Sequence, residues 1–261
     1  MAATAFLFYP FSSLFLLSLS SLTFISILFL VSGELLGHPL RYSKFWTPNS
    51  KFHLPSRSAM LLCYLPAFSL SSLSLFLVPH HFLLSSRIFL IISLLLFHFF
   101  KRISEVLFVH KYSNKMALTD AIITSLAYLL FTGATIYTQI VSLDLVEPEI
   151  DLKAAGLALY GIGITGNFYH HVLLSRLRSG GDREYRIPRG GLFKVIACPH
   201  YLFEIVEFLG IAFVSQTLFA VVFVVGSALF LIGRSYATRK WYLSKFEDFP
   251  THVKAILPFV F

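Results

Sequence analysis

An amide, an imidazole and a guanidinium, Asn167, His171 and Arg178, follow one another at offsets of 4 and 11 from the first. On a helix these spacings share one face. His200, Glu204 and Glu207 repeat the arrangement with an imidazole and two carboxylates at offsets of 4 and 7. A third strip, Arg234, Thr238, Trp241 and Lys245, has Tyr242 at its side. Polar groups are costly inside apolar helices and usually mark a pathway or a site. Between the first two strips, Ser179 to Gly191 supplies Gly180-Gly181, Pro188 and Gly190-Gly191 among arginines. Glycine permits close backbone approach and arginine forks onto phosphate oxygens. This stretch has the makings of a phosphate-binding loop, or equally of an ordinary basic connection.

No metal site is expected. His200 and Glu204, with His170 or His171, offer ligand types, but the HExxH spacing is absent and no cysteine accompanies them. Gly161-Ile-Gly163-Ile-Thr165-Gly166 spells the dinucleotide fingerprint G-x-G-x-x-G. That motif works where a strand turns into a helix and backbone N–H groups meet pyrophosphate. Here it lies inside an apolar run, so its small residues predict close helix packing instead.

The elements that must position these groups are membrane helices. Of 261 residues, 56% are hydrophobic and 13% charged, and the mean hydropathy is +0.75. A spanning helix needs about 20 mostly apolar residues. Seven candidates lie near 7–31, 57–78, 82–100, 117–141, 152–174, 199–216 and 217–237. The first lacks the basic start of a secretory signal and reads as a retained helix. Cys63 and Cys198 suggest no disulfide framework.

The net charge of +8 is not spread as in a nucleic-acid-binding protein. It gathers in alternate connections: Arg41, Lys44, Lys51 and Arg57; Lys101, Arg102, Lys111 and Lys115; Arg176 to Lys194; and Arg239, Lys240, Lys245 and Lys254. The intervening connections hold His80, His81 and Arg87, the acidic segment Asp144 to Asp151 with Lys153, and Ser215-Gln216-Thr217. This alternation fits the positive-inside rule. It predicts a lumenal N-terminus and a cytosolic C-terminus.

Further motifs follow in order: Tyr185-Arg-Ile-Pro188, Gly190-Gly191-Leu-Phe193, Cys198-Pro-His-Tyr201 with Glu204, then Arg234, Trp241-Tyr-Leu-Ser-Lys-Phe-Glu-Asp-Phe-Pro250 and a terminal Leu-Pro-Phe-Val-Phe261. The set resembles the steroid 5α-reductase and trans-2-enoyl-CoA reductase superfamily, closely over about 160 to 261 and more loosely before 150. His98-Phe-Phe-Lys-Arg102, Glu105 and Leu107 to Ser113 are more similar to the enoyl-CoA reductases.

The resemblance implies an all-α, seven-helix enzyme of the endoplasmic reticulum membrane that moves hydride from NADPH onto the β carbon of a C=C–C=O unit. It implies one membrane domain over 1–261. Residues 151–261 would carry the NADPH site, and helices one to four, within 1–150, the substrate-polarising side. Carried over residue by residue, Asn167, Arg178, Tyr185, Glu204, Arg234 and Tyr242 match positions that line the NADPH cavity. His171 stands where steroid reductases have aspartate and enoyl-CoA reductases have histidine, and His200 where steroid reductases have asparagine. Steroid reductases polarise the substrate with a tyrosine and a glutamate, and this chain has Phe99 and Tyr64 at those places. Tyr64 is therefore the expected proton donor, with His200 and Tyr201 the further catalytic candidates.

The expected partners are membrane lipids and a lipid substrate: a steroid or other isoprenoid enone, or an enoyl-CoA. A methyltransferase of the isoprenylcysteine type, binding S-adenosylmethionine, would also carry a Pro-x-Tyr element entering a helix and a basic cytosolic face. The paired acidic residues expected there are not evident.

Overall fold

The computed structural model describes residues 5–8, 14–47, 52–79, 86–112, 114–178 and 184–257. Among them run seven helices of 17 residues or more: α1 (Leu14–Leu35), α2 (Ser56–Leu77), α3 (Ser86–Ser104), α4 (Leu118–Val141), α5 (Lys153–Arg176), α6 (Pro199–Ser215) and α7 (Leu218–Lys245). Each falls on an apolar run identified in the sequence. α7 continues past the expected end at 237 because its polar last turns are covered by the chain's end. There Arg239 Nε and Nη2 donate to the carbonyls of Val253 at 2.6 Å and Thr251 at 3.0 Å.

Four helices, α1, α2, α4 and α7, are long and apolar enough to cross a membrane. The other three are more polar, although the strip that begins at Arg234 lies in α7. Arg87, Lys101 and Arg102 lie in α3, Asn167, His170 and His171 in α5, and α6 has only 17 residues with Glu204 and Glu207 among them. Helices of this apolarity make the chain a multi-pass membrane protein.

α5 and α6 pack closely at the G-x-G-x-x-G segment. A Cβ on Gly163 would lie 2.3 Å from the backbone N of Glu207, and one on Gly166 2.2 Å from the ring of Phe203, whereas Gly161 meets nothing within 4 Å. Gly163 and Gly166 are small so that two helices can meet. α1 rests mainly on α7.

At one end of the bundle the basic connections are tied together. Strand β1 (His53–Pro55) pairs antiparallel with β2 (Lys115–Ala117), His53 opposite Ala117 and Pro55 opposite Lys115. Asn114 donates to the carbonyl of Ser43 at 3.0 Å and to the Tyr185 hydroxyl at 3.1 Å. Lys111 and Arg178 exchange hydrogen bonds with each other's backbone carbonyls at 2.5 and 2.6 Å.

The opposite end is closed by a different knot. Arg87, 1% exposed, donates to the carbonyl of Val214 at 2.6 Å and to Gln216 at 3.1 Å, and pairs with Glu147 at 2.5 Å and Asp151 at 3.4 Å. Gln216 adopts a left-handed φ of 52° and donates to the carbonyls of Phe6 at 2.7 Å and Ile150 at 2.9 Å. Of the sequence segments assigned to this end, His80 and His81 lie outside the described residues. Arg87→Leu strands these acceptors and is expected to cost about 2 kcal/mol, read as a lower unfolding temperature of the detergent-solubilised protein.

Candidate active site

A cavity opens at the end where the basic connections meet and reaches down between α2, α4, α5, α6 and α7. Nine of the ten site residues expected from sequence line it: Tyr64, His171, Arg178, Tyr185, His200, Tyr201, Glu204, Arg234 and Tyr242. They arrive from α2, α5 and the residues just past its end, α6, α7 and the 184–198 connection. Pro199 at the first position of α6 starts the helix that presents His200, Tyr201 and Glu204.

Asn167 is the exception. It is fully buried below the cavity, donates to the carbonyl of His200 at 2.9 Å and accepts a hydrogen bond from Lys101. Its amide holds the start of α6 rather than facing the cavity. The two carboxylates of α6 also part company. Glu207 is fully buried and lies 2.6 Å from Nδ1 of His98 and 3.9 Å from Lys101. Glu204 lines the cavity, with no hydrogen bond of its own among the described residues.

The upper wall is cationic and aromatic. Arg178 lies 4.8 Å over the Tyr185 ring, and the Tyr185 and Trp241 rings meet edge-on at 5.1 Å. Lys44 sits 5.2 Å from the Tyr242 ring and 5.8 Å from Trp241. Burial pushes its ammonium down to about 8, with nearby Arg234 acting the same way. Of the loop read as a possible phosphate site, Gly180, Gly181 and Arg183 lie outside the described residues, while Gly190 and Gly191 take φ of 89° and 50° and open a short 3-10 turn. His170 anchors that turn: its Nδ1 donates to the carbonyl of Gly166 at 2.7 Å, and its Nε2 accepts from the N–H of Leu192 at 3.2 Å.

Arg234 is engaged within the protein. Its Nη1 donates to both oxygens of Glu34, at 2.9 and 3.1 Å, and to the carbonyl of Leu40 at 3.0 Å. The guanidinium carbon stacks 4.1 Å from the Tyr42 ring and 4.3 Å from Phe45. Both charges of the pair are 1% exposed. Sequence reasoning did not find Glu34, a single carboxylate at the end of an apolar helix.

Tyr64 and Tyr128 stand deeper in the cavity, with ring centroids 5.5 Å apart. Phe99 is fully buried and packs edge-on against Tyr128 at 5.5 Å. The Tyr64 oxygen accepts a hydrogen bond from Nη2 of Arg102 at 2.6 Å. Nη1 of Arg102 donates to Glu105 at 2.6 Å, and Nδ1 of His171 lies 3.0 Å from the other oxygen of that carboxylate. Glu105 opens a π-helical turn, Glu105–Val109, which carries α3 toward His110. Burial, joined by His171 and Arg102, pushes the His110 imidazole down to about 2 against the pull of Glu105. Ligand atoms of Glu105, His110 and His171 lie within 4.8 Å of one another, but Arg102 already occupies the carboxylate.

Residues 114–261 match the family described as 3-oxo-5-alpha-steroid 4-dehydrogenase. The chain is 32% identical over 201 residues to the steroid 5-alpha-reductase DET2 of Gossypium hirsutum, covering 72% of this chain and 77% of that one. The chain belongs to this family. It is similar at 31% over 220 residues to 3-oxo-5-alpha-steroid 4-dehydrogenase 2 of Homo sapiens, covering 80% and 82% of the two chains. With dehydrogenase 1 of Mus musculus the identity is 39% over 105 residues, 40% of this chain and 41% of the relative. Like the family it joins, it is an oxidoreductase acting on CH–CH groups.

Proposed function

We propose that this family member uses NADPH to reduce the conjugated C=C bond of a lipid enone, a 3-oxo-Δ4-steroid or another isoprenoid enone, from within the endoplasmic reticulum membrane. One observation carries the reading: a single cavity joins a cationic, aromatic mouth, with Lys44, Arg178 and Tyr242, to phenols held between apolar helices, Tyr64 and Tyr128. The residues suit the cofactor. Arginine and lysine at the mouth match phosphates, aromatic faces match its rings, and the Glu204 carboxylate is free to accept from a carboxamide. Nδ1 of His200 is buried without a partner among the described residues, as a group awaiting a ligand would be. Arg178, Tyr185, Tyr242, His171, His200 and Glu204 are the proposed holders, with Asn167 and Arg234 bracing them from behind.

When bound, NADPH supplies the hydride for the β carbon, and the α carbon takes a proton. As hydride adds, negative charge grows on the substrate oxygen, and a preorganised donor in a dry site is worth most at that moment. Tyr64 is that donor, and Tyr201, beside Tyr42 and Arg234, lines the same cavity.

The proposed topology has seven spans, with a lumenal N-terminus and a cytosolic C-terminus, so the basic mouth faces the compartment that holds NADPH. Anaerobic titration with NADPH and S-adenosylmethionine, then a panel of Δ4-3-ketosteroids, enoyl-CoAs and polyprenals, tests the reading. NADPH oxidation with an enone supports it, and a chain that binds no NADPH overturns it. Oxidation with enoyl-CoA alone moves the substrate to the thioester.

Lys44 adds a pH test. Its ammonium attracts phosphate only while protonated, so NADPH affinity falls as pH rises through about 8. Lys44→Met binds more weakly below that pH and shows a flatter profile.

A further inference from the structure

Tyr64 is the proposed donor, yet a phenol between membrane helices can turn its proton in several directions. Arg102 removes that freedom. A guanidinium can only donate, so the 2.6 Å contact from its Nη2 occupies a lone pair of the Tyr64 oxygen. The phenolic proton must then point away from Arg102, on the side where Tyr64 and Tyr128 line the cavity. The arginine is itself fixed. Nη1 bonds Glu105 at 2.6 Å, and Glu105 is held in turn by His171 at 3.0 Å and Lys101 at 3.5 Å. A cationic donor also polarises the O–H it contacts, making the phenol a better donor toward a developing oxyanion.

We propose that Arg102 is a positioning residue, braced by Glu105, that aims and strengthens the Tyr64 hydroxyl toward the carbonyl oxygen of the substrate. The proposal rests on the reading of Tyr64 above. Arg102 also lines the cavity and lies 3.1 Å from Nδ1 of His171, so NADPH affinity is measured beside kcat to separate an effect on the cofactor wall from one through the phenol; Tyr64→Phe removes the hydroxyl it acts on.

The test is a double-mutant cycle on the full chain in detergent, with a Δ4-3-ketosteroid as substrate. Arg102→Met lowers kcat by about 10- to 100-fold, less than the roughly 10²- to 10³-fold loss of the donor itself because the phenol remains, and leaves NADPH affinity within about twofold. Glu105 keeps Lys101 and His171 as partners, so the carboxylate is not stranded. In the Tyr64→Phe background the same change lowers kcat by less than about twofold, because coupled residues do not add. Equal losses in both backgrounds overturn the proposal, as does a loss of NADPH affinity with kcat intact. If Arg102→Met does not fold, Arg102→Lys, which keeps the charge but not the fork, is run through the same cycle. Undiminished turnover in Tyr64→Phe alone defeats the Tyr64 reading itself. A loss there combined with additive Arg102 effects defeats only the role given to Arg102.

Discussion

Tyr64→Phe lowers kcat for C=C reduction by about 10²- to 10³-fold, the cost of removing one oxyanion donor, while NADPH affinity stays where it was. The ring is kept, so its packing against Tyr128 at 5.5 Å and beneath Arg102 at 4.8 Å survives. Only the hydroxyl is lost, and with it the hydrogen bond that grows stronger as charge moves onto the substrate oxygen. An interaction made chiefly in the transition state lowers kcat and kcat/KM together. Steady-state rates at saturating NADPH, with cofactor affinity measured separately, give both numbers. Turnover equal to that of the unaltered chain would show that another group polarises the substrate.

Arg234→Ala is expected to destabilise the protein by about 3–5 kcal/mol, because it leaves the Glu34 carboxylate buried and unpaired between α1 and α7. The same carboxylate accepts from the N–H of Leu40 at 3.0 Å, so the turn that carries Tyr42 and Lys44 into the cavity is expected to loosen as well. NADPH affinity then falls through loss of that wall. Removing both charges, Arg234→Leu with Glu34→Leu, recovers much of the stability, since apolar replacement of a buried pair is often nearly neutral. Thermal unfolding in detergent across the two single variants and the double separates the cases. Equal unfolding temperatures for Arg234→Ala and the unaltered chain would mean that the pair contributes nothing.

Much of this was legible in the chain before its fold. Hydropathy marked seven apolar runs, and each holds a helix because only helices satisfy their backbone there, four of them long and apolar enough to span a membrane. Among the connections, the basic ones share the β1–β2 pairing and the Lys111–Arg178 contacts, and the poor ones share the Arg87–Gln216 knot. Helical spacing grouped His171 with Asn167 and His200 with Glu204, and His171, His200 and Glu204 all line the cavity. It placed Asn167 with them, but a shared face does not fix depth, and Asn167 lies beneath the cavity on Lys101.

Tyr42, Lys44, Arg102 and Tyr128 were not assigned to the site, although they line the same cavity. Each comes from an element distant in sequence and belongs to no strip of spaced polar groups. Glu34 was invisible for a related reason. Its meaning comes from a residue 200 positions away, and no local pattern in α1 announces it.

That separation bears on how the protein is made. α1 is synthesised well before α7 and, in the proposed topology, carries its carboxylate near the cytosolic surface while the arginine that will neutralise it has not been made. At about 5–20 residues per second, the interval between them is on the order of 10–40 s. During it, Glu34 must stay at the water boundary or take a proton, and α1 has no settled seat. Insertion of α7 therefore draws α1 in, and with it the loop that carries Tyr42 and Lys44 to the cavity. A ribosome stalled before Arg234 would hold a nascent chain with an unseated first helix, the form that membrane quality control is suited to recognise.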